Sequence, residues 1–482
     1  MFILNPKVMI LIPFLILITS IICIILSIIF KRNHLFSFYI SFFSLIFILL
    51  SFFFIYKYIP IYFSTLLCIN FYSIIYLYII IFSSIFTIFI NYFYLQKYFF
   101  YQEEFYLLIL SSIIGAITVI EANHIFIILF GIELMSFPIL GLMLYSLKKH
   151  TNIRIILKYL ILSSIVTIFS FLGISLIYLI CGNLNLNNIK ISFLINDIQN
   201  NKILLIGLGL LLISLFFKLS LFPFHFWISD IYKNISPFLL MYSTTVIKVA
   251  TFSVLMKIFM YIPYEKSKVL YLIIELISIS SIIFGSFMTV FQNNIKKLFG
   301  YSSIVHMGYI LITLFSINNY HFNNSIALIY LINYTISNIG IFSLLSLLLL
   351  LDHNTNFNLN NLFVYNFVLW KKIIFHISVF IIIFSFLSIP FTFGFISKFC
   401  IFFIILYAKL WMILYAILIN SGFSIYYYLK IILNLYRNNL SKNISNKKSY
   451  TVIQIFIFLI SIIILFIGIY PKIIFDFFKI KI

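Results

Sequence analysis

The sequence predicts an all-α, polytopic membrane protein of about fourteen transmembrane helices. Of its 482 residues, 64% are hydrophobic and only 9% are charged, whereas about 25% of a soluble domain is charged. Apolar runs of about 20 residues recur along the whole length, each long enough to cross a hydrocarbon core of roughly 30 Å. The runs are continuous, not alternating, which favours helices over a β-barrel.

Taken in order, the spans are 8–30, 35–56, 67–95, 105–120, 122–147, 155–180, 203–228, 236–262, 269–291, 298–317, 324–351, 373–407, 409–436 and 451–475. The first is long enough to be a span, so no cleavable signal peptide is expected. The longest connections are the Asn-rich 182–201, the segment 352–372 and the Lys/Asn-rich 437–450. None could hold a soluble domain.

A formal charge of +21 does not signal a nucleic-acid partner. Arginine occurs only at 32, 154 and 437, and the lysines fall mostly in short loops. The wealth of Ile, Phe, Asn, Tyr and Lys fits an AT-rich genome. Loops after odd-numbered spans carry Lys31, Arg32, Lys97, Lys148, Lys149, Arg154, Lys233, Lys296, Lys297, Lys371, Lys372, Arg437, Lys442, Lys447 and Lys448. That excess assigns the odd loops to the cytoplasm and both termini to the periplasm. The expected location is the inner (plasma) membrane of a bacterium, with the mitochondrial inner membrane as the alternative. Cys23, Cys68, Cys181 and Cys400 are scattered and suggest neither a metal site nor a disulfide framework.

Two spans depart from a simple helix. The run 373–407 would measure about 52 Å at 1.5 Å per residue, too long without steep tilt or a break. It holds Pro390 and Gly394, and the run 203–228 holds Pro223. Proline removes a backbone donor and clashes with the preceding turn, so both helices are expected to be discontinuous. They share a signature, PFHF at 223–226 and PFTF at 390–393, with Lys218 before the first and Lys398 after the second. Broken helices at corresponding positions point to an internal repeat and a transport site near mid-membrane.

Several ionisable residues fall inside spans: Glu133, Lys158, Lys218, Lys248, His306 and Lys398. Each charge near a bilayer centre costs roughly 2.5–3.5 kcal/mol on insertion scales. They are tolerable if they face one another or water, which suggests a polar file. Burial disfavours a charged amine and a nearby carboxylate favours it, so such lysines suit proton transfer. Glu133 would then tune Lys218, Lys248 would pass a proton between halves, and Lys398 would exchange it with a surface. Lys158, nearer its helix end, could equally snorkel. His306 could relay a proton or pack while bonding a neighbouring serine, and His225, after the proline break, is similar. Glu275, Lys257, His376 and Asp230 lie near span ends and read as solvated or interfacial. No phosphate loop, haem ligand pair or cysteine cluster appears, so no redox centre is expected in this chain.

These residues carry a resemblance. FGIELMSFPILGLM at 130–143, FKLSLFPFHFWISDIYKNISP at 217–237, TVIKVATF at 245–252, NIKKLFGYSSIVHMGYIL at 294–311 and SIPFTFGFISKFCIF at 388–402 resemble the antiporter-like membrane subunits of respiratory complex I, and among them subunit N. The resemblance implies fourteen helices in one integral membrane domain. It implies peripheral helices over 1–95, two inverted five-helix repeats over 105–262 and 269–436 with helices 7 and 12 broken, and a last helix over 451–475. By the same resemblance Glu133 corresponds to the tuning glutamate, Lys218 to the lysine before the break, Lys248 to the central lysine and Lys398 to the terminal one. A lysine there selects subunits N and L over M, and subunit L is much longer. NISPF at 234–238 and Gly300 depart from the usual pattern without touching a charge.

The activity so implied is proton translocation within an NADH–quinone oxidoreductase. NADH, FMN, iron–sulfur clusters and quinone are expected in partner subunits and no cofactor here. The expected partners are the other complex I membrane subunits and the lipid bilayer. A sodium/proton antiporter subunit of the Mrp type is the alternative. A lipid-linked sugar flippase is a third class, but it gives no reason for the Glu133, Lys218, Lys248 series. If the proton file is right, Lys218, Lys248 and Lys398 face the interior, and Glu133 lies within direct or single-water contact of Lys218.

Overall fold

The computed structural model describes residues 6–98, 102–145, 150–195, 201–262, 267–316, 324–351, 372–436 and 448–478. Lys148, Lys149 and Lys371, and nearly all of the connections 352–372 and 437–450, lie outside the described residues. In chain order the elements are α1 (Pro6–Met9), α2 (Ile12–Phe30), α3 (His34–Ile55), β1 (Ile61–Phe63), β2 (Leu67–Ile69), α4 (Phe71–Tyr98), α5 (Glu103–Glu121), α6 (Ile125–Tyr145) and α7 (His150–Cys181). There follow α8 (Leu186–Ile195), α9 (Lys202–Leu219), α10 (Ile228–Asn234), α11 (Pro237–Tyr242), α12 (Lys248–Tyr261), α13 (Lys268–Val290) and α14 (Ile295–Ile312). The last are α15 (Ser325–Leu351), α16 (Lys372–Leu387), α17 (Phe393–Tyr407), α18 (Trp411–Tyr436), α19 (Lys448–Ile469) and α20 (Lys472–Phe478).

Among the described residues, 13 helices are long and apolar enough to cross a membrane, and α16 and α17 are two shorter apolar helices where span 12 is expected. Together they give the predicted fourteen, with the twelfth in two pieces. Three short elements were not expected. They are the antiparallel pair β1–β2, α20, and α8 inside the Asn-rich connection. Helix α8 forms because Leu186, Ile189 and Phe193 recur on one face and are buried there. Inside the spans, serines return their hydroxyls to carbonyls one turn earlier, as Ser112 does to Ile109 (2.7 Å) and Ser303 to Gly300 (2.6 Å). Each such hydroxyl then spends its hydrogen on a carbonyl and does not present it to hydrocarbon.

The chain divides into two compact units, Met1–Leu219 with Tyr242–Tyr271, and Ser220–Met241 with Leu272–Ile482. In the first, α5 packs on α6 and α7 on α9, with α12 against α4, α5 and α9. The loops after spans two, four and six gather at one end of this unit. Asn123 N–H donates to Leu66 O (2.8 Å), Leu186 N–H to Asn123 O (3.0 Å) and Ile125 N–H to Leu184 O (3.0 Å). In the second, α14 is buried almost throughout, α10 packs against it, and α15, α16, α17 and α19 pack on one another. Asn294 caps α14 by accepting from Lys296 N–H (2.9 Å).

Both expected breaks are present. Helix α9 stops at Leu219, Ser220 turns to φ +64°, and helix resumes at Ile228 beyond Pro223. Helix α16 stops at Leu387, Ser388 turns to φ +65° and Phe391 to φ +68°, and α17 starts at Phe393 beyond Pro390. A left-handed residue just past the last turn ends a helix by folding its final carbonyls over. The second break also requires a glycine. The Ser385 carbonyl oxygen occupies the place that a Cβ on residue 394 would take. Gly394→Ala is therefore expected to destabilise the protein by about 1–3 kcal/mol, the usual cost of overpacking. The measurement is the melting temperature of the detergent-purified protein; an unchanged value would show that the break yields freely.

Candidate functional site

The first unit contains Glu133, Lys218 and Lys248. Lys218, in the last turn of α9, is only 4% exposed, and its Nζ has no hydrogen-bond partner among the described residues. The amine lies 6.0 Å from the centre of the Tyr159 ring, at cation–π range. Glu133, on α6, is half-buried and accepts from Ser136 Oγ at 3.2 Å. It interacts electrostatically with both Lys218 and Tyr159, but forms no direct ion pair. The one ion pair among the described residues joins Arg32 and Glu104 (3.1 Å). Of the two contacts expected between Glu133 and Lys218, the direct one is therefore absent.

Lys248 is buried and opens α12 immediately after a π-helical turn, Ser243–Ile247. Such a turn inserts an extra residue into the helical register, often at functional sites. Tyr242 precedes it, its hydroxyl 2.5 Å from Ser112 Oγ. Lys158 is not brought into this group, for its side chain is exposed. Neighbouring helical residues point about 100° apart, so the inward turn of buried Tyr159 directs Lys158 away.

The second unit contains Lys398, His306 and His225. Lys398 is half-buried; its Nζ donates at 3.5 Å to Leu387 O, the last carbonyl before the break, and lies 5.4 Å from the Tyr309 ring centre. The Tyr309 hydroxyl in turn accepts from Asn420 Nδ2 (2.6 Å). His306 is buried, with Nδ1 2.8 Å from the Tyr330 hydroxyl. One of its partners is thus a tyrosine one helix away. His225 is buried in a stack with Phe222 and Phe284, and its Nδ1 has no partner among the described residues.

Several polar residues escaped the sequence reasoning. Lys296, counted as a loop lysine, is buried in the first turn of α14 and donates to Ile235 O (2.8 Å), at the end of α10. Lys257, read as solvated or interfacial, is half-buried and donates to Ile120 O and Ala122 O. Asn333, on α15, joins the two pieces of the second broken helix. Its Nδ2 donates to Ser397 Oγ (3.2 Å) on α17, and its Oδ1 accepts from Ser385 Oγ (3.1 Å) on α16. Ser337 Oγ, one turn on, is 2.8 Å from Ser385 Oγ. The i, i+4 placing of Asn333 and Ser337 in an apolar run was the available signal. Among the described residues, no three His, Cys, Asp or Glu side chains could hold a metal ion.

The Asn333 clasp makes a prediction about coupling. Asn333→Leu and Ser385→Ala should each destabilise the protein. Their double-mutant cycle should show a coupling of about 0.5–2 kcal/mol, the range for polar contacts between membrane helices. Strict additivity in thermal unfolding would mean that the two side chains do not share a bond.

The family described as "NADH:quinone oxidoreductase/Mrp antiporter, TM" matches residues 122–424. A relative named NADH-quinone oxidoreductase subunit N, from Buchnera aphidicola subsp. Schizaphis graminum, is 39% identical over 471 residues, 96% of each chain. A chain of respiratory complex I from Thermus thermophilus superposes with a TM-score of 0.81 at 22% identity, covering 96% of this chain and 98% of that one. A chain of the Mrp complex from Dietzia sp. gives 0.78 at 14% identity, covering 97% and 95%. The solved structures establish the fold, and the sequence match over nearly the full length goes further: the chain belongs to the NADH-quinone oxidoreductase subunit N family, within the wider NADH:quinone oxidoreductase/Mrp antiporter group of membrane proteins.

Proposed function

We propose that the chain is a proton-translocating membrane subunit of an NADH–quinone oxidoreductase, working beside other membrane subunits of that complex. The observation that carries this reading is Lys218. It is a buried amine without a hydrogen-bond partner among the described residues, in the last turn before a helix break, within the field of Glu133. Such an amine can serve as a proton-transfer group, and a change in the Glu133–Lys218 separation would alter how firmly it holds its proton. Lys248 supplies a second buried amine in the same unit, and Lys398 with His306 supplies the equivalent groups in the other. His225 belongs beside the first break. Lys158, on an exposed face, enters this scheme only where a partner subunit covers it.

Redox chemistry belongs to the partner subunits in this reading: NADH, FMN, the iron–sulfur clusters and quinone bind there. The cell compartment is the inner membrane of a bacterium, with the periplasm as the side of both termini. The repeats are those of the sequence, 105–262 and 269–436, each carrying one broken helix. The Mrp-type antiporter reading shares the fold, since both kinds of structure superpose on this chain. The 39% identity over 96% of the chain favours the oxidoreductase. Tagged protein purified from its own membranes should bring NADH-driven quinone reduction with it. Sodium-dependent exchange by the isolated chain would support the antiporter.

Two substitutions test the site. Lys218→Ala should lower NADH-driven proton pumping by ~10²-fold or more, as loss of a positioned proton-transfer group does, while the amount of assembled complex changes little. Equal losses of pumping and assembly would indicate a structural lysine. Glu133→Gln should also depress pumping, and Glu133→Asp less so, because the charge is kept and only its reach shortens. Wild-type pumping by the Gln variant would remove Glu133 from the mechanism.

A further inference from the structure

One end of the first unit holds charged groups that the scheme above does not use. Glu121 is the last residue of α5 and is completely buried. Neither of its carboxylate oxygens has a hydrogen-bond partner among the described residues. Lys257, on α12, reaches the same place. Its Nζ donates to the carbonyls of Ile120 and Ala122, the residues on either side of Glu121. Lys257 and Glu121 interact electrostatically, yet the recorded hydrogen bonds of the amine go to backbone oxygens.

A structural role accounts for Lys257 alone. The last carbonyls of a helix lack intrahelical partners, and a cation there is favoured by the helix dipole. Glu121 is less well served. Apart from the field of Lys257 it has the negative end of the same dipole beneath it, no hydrogen-bond donor among the described residues and no exposed surface. An unpaired buried charge costs several kcal/mol, and a leucine or glutamine would fill the position at less cost. A carboxyl group fits here if it carries a proton for part of the time.

The surroundings suit a covered exchange point. The end of α5 lies under the joined loops: Ala122 bridges to Leu67, Asn123 N–H bonds Leu66 O, and His124 bridges to Asn185. Cys68, on β2, is the other titratable group within the field of this pair. Burial pushes its thiol up, so it stays neutral and does not compete for the role. Lys257 follows Lys248 by nine residues on one helix, about 13.5 Å along its axis. The pair is thus near the end of the unit, offset from the buried lysine of the proposed path.

We propose that Glu121, with Lys257 beside it, is a proton-binding site at the covered end of the first unit, where protons exchange between the buried-lysine path and that membrane face. The step is simple: an arriving proton converts the carboxylate to a carboxylic acid, its departure restores the carboxylate, and no other bond changes. The proposal rests on the proton-translocation reading.

The test uses the assembled complex in native membrane vesicles. N,N′-dicyclohexylcarbodiimide reacts with protonated carboxyl groups in apolar surroundings, and mass spectrometry locates the adduct. An adduct on Glu121 is expected at neutral pH. Glu121→Gln should lower NADH-driven proton pumping by ~10-fold or more at unchanged complex content, with Glu121→Asp recovering most of it, because a positioned proton-transfer group is lost and then restored. No adduct on Glu121, or wild-type pumping by the Gln variant, overturns the proposal. Should the Gln variant fail to assemble, the wild-type adduct and the Asp variant decide. Lys218→Ala separates the two levels. If it pumps normally, the proton-translocation reading fails. If it is blocked while Glu121→Gln pumps normally, only this inference fails.

Discussion

Hydrocarbon offers no partner to a charged amine or to an unpaired carbonyl, and the two problems solve each other where a helix ends. Three lysines of this chain use that solution. Lys398 donates to Leu387 O at the end of α16, Lys296 to Ile235 O at the end of α10, and Lys257 to the carbonyls of Ile120 and Ala122 at the end of α5. In each case a helix terminus inside or beside the membrane supplies oxygens that no intrahelical donor can reach. Helix ends and buried amines are therefore placed together. Lys218 stands against this pattern, because it too lies in a last turn but bonds to none of the described groups. An amine held by fixed carbonyls is anchored; the Lys218 amine has no such anchor among the described residues.

The breaks are built alike, although the shared letters are few. In both, a serine in the left-handed conformation stops the helix, and a proline two or three residues later prevents it from restarting at once. Proline made the breaks visible in the sequence. The serines were not visible as stops, since a left-handed non-glycine residue is uncommon and is held there by its surroundings. Gly394 could be noted in the sequence, but its reason, the Ser385 carbonyl folded against it, needs the bent backbone.

Composition and run length were enough for the fold class, because a bilayer permits so few solutions to the backbone hydrogen-bonding problem. The site was legible as far as it consisted of charges deep in apolar runs: Glu133, Lys218, Lys248 and Lys398 stand out by cost alone. Position near a run's end was the weak point. Lys257 and Lys296 read as boundary and loop residues and Glu121 falls between two expected spans, because hydropathy locates a helix end only to within a few residues and says nothing of what folds over it. Lys158 failed the other way. It lies inside a run, yet a helix has an outer face as well as an inner one, and the apolar residues around it are too uniform to show which face is which. Asn333 was passed over for being neutral, although its buried amide bonds to both pieces of the broken helix.

The two units differ in what surrounds their lysines. In the first, the field on Lys218 comes from a carboxylate, and a carboxylate can gain or lose its whole charge. In the second, the atoms near Lys398 are a carbonyl, a tyrosine ring and, behind it, the amide of Asn420. These are dipoles, and dipoles change their effect only by moving. In the proposed scheme the lysine near Glu133 would be set by charge, whereas the lysine at Leu387 O would be set by the geometry of a break clasped by Asn333. Fixed dipoles need little reorganisation when charge arrives, so the surroundings of Lys398 are set by the fold rather than by a neighbouring charge.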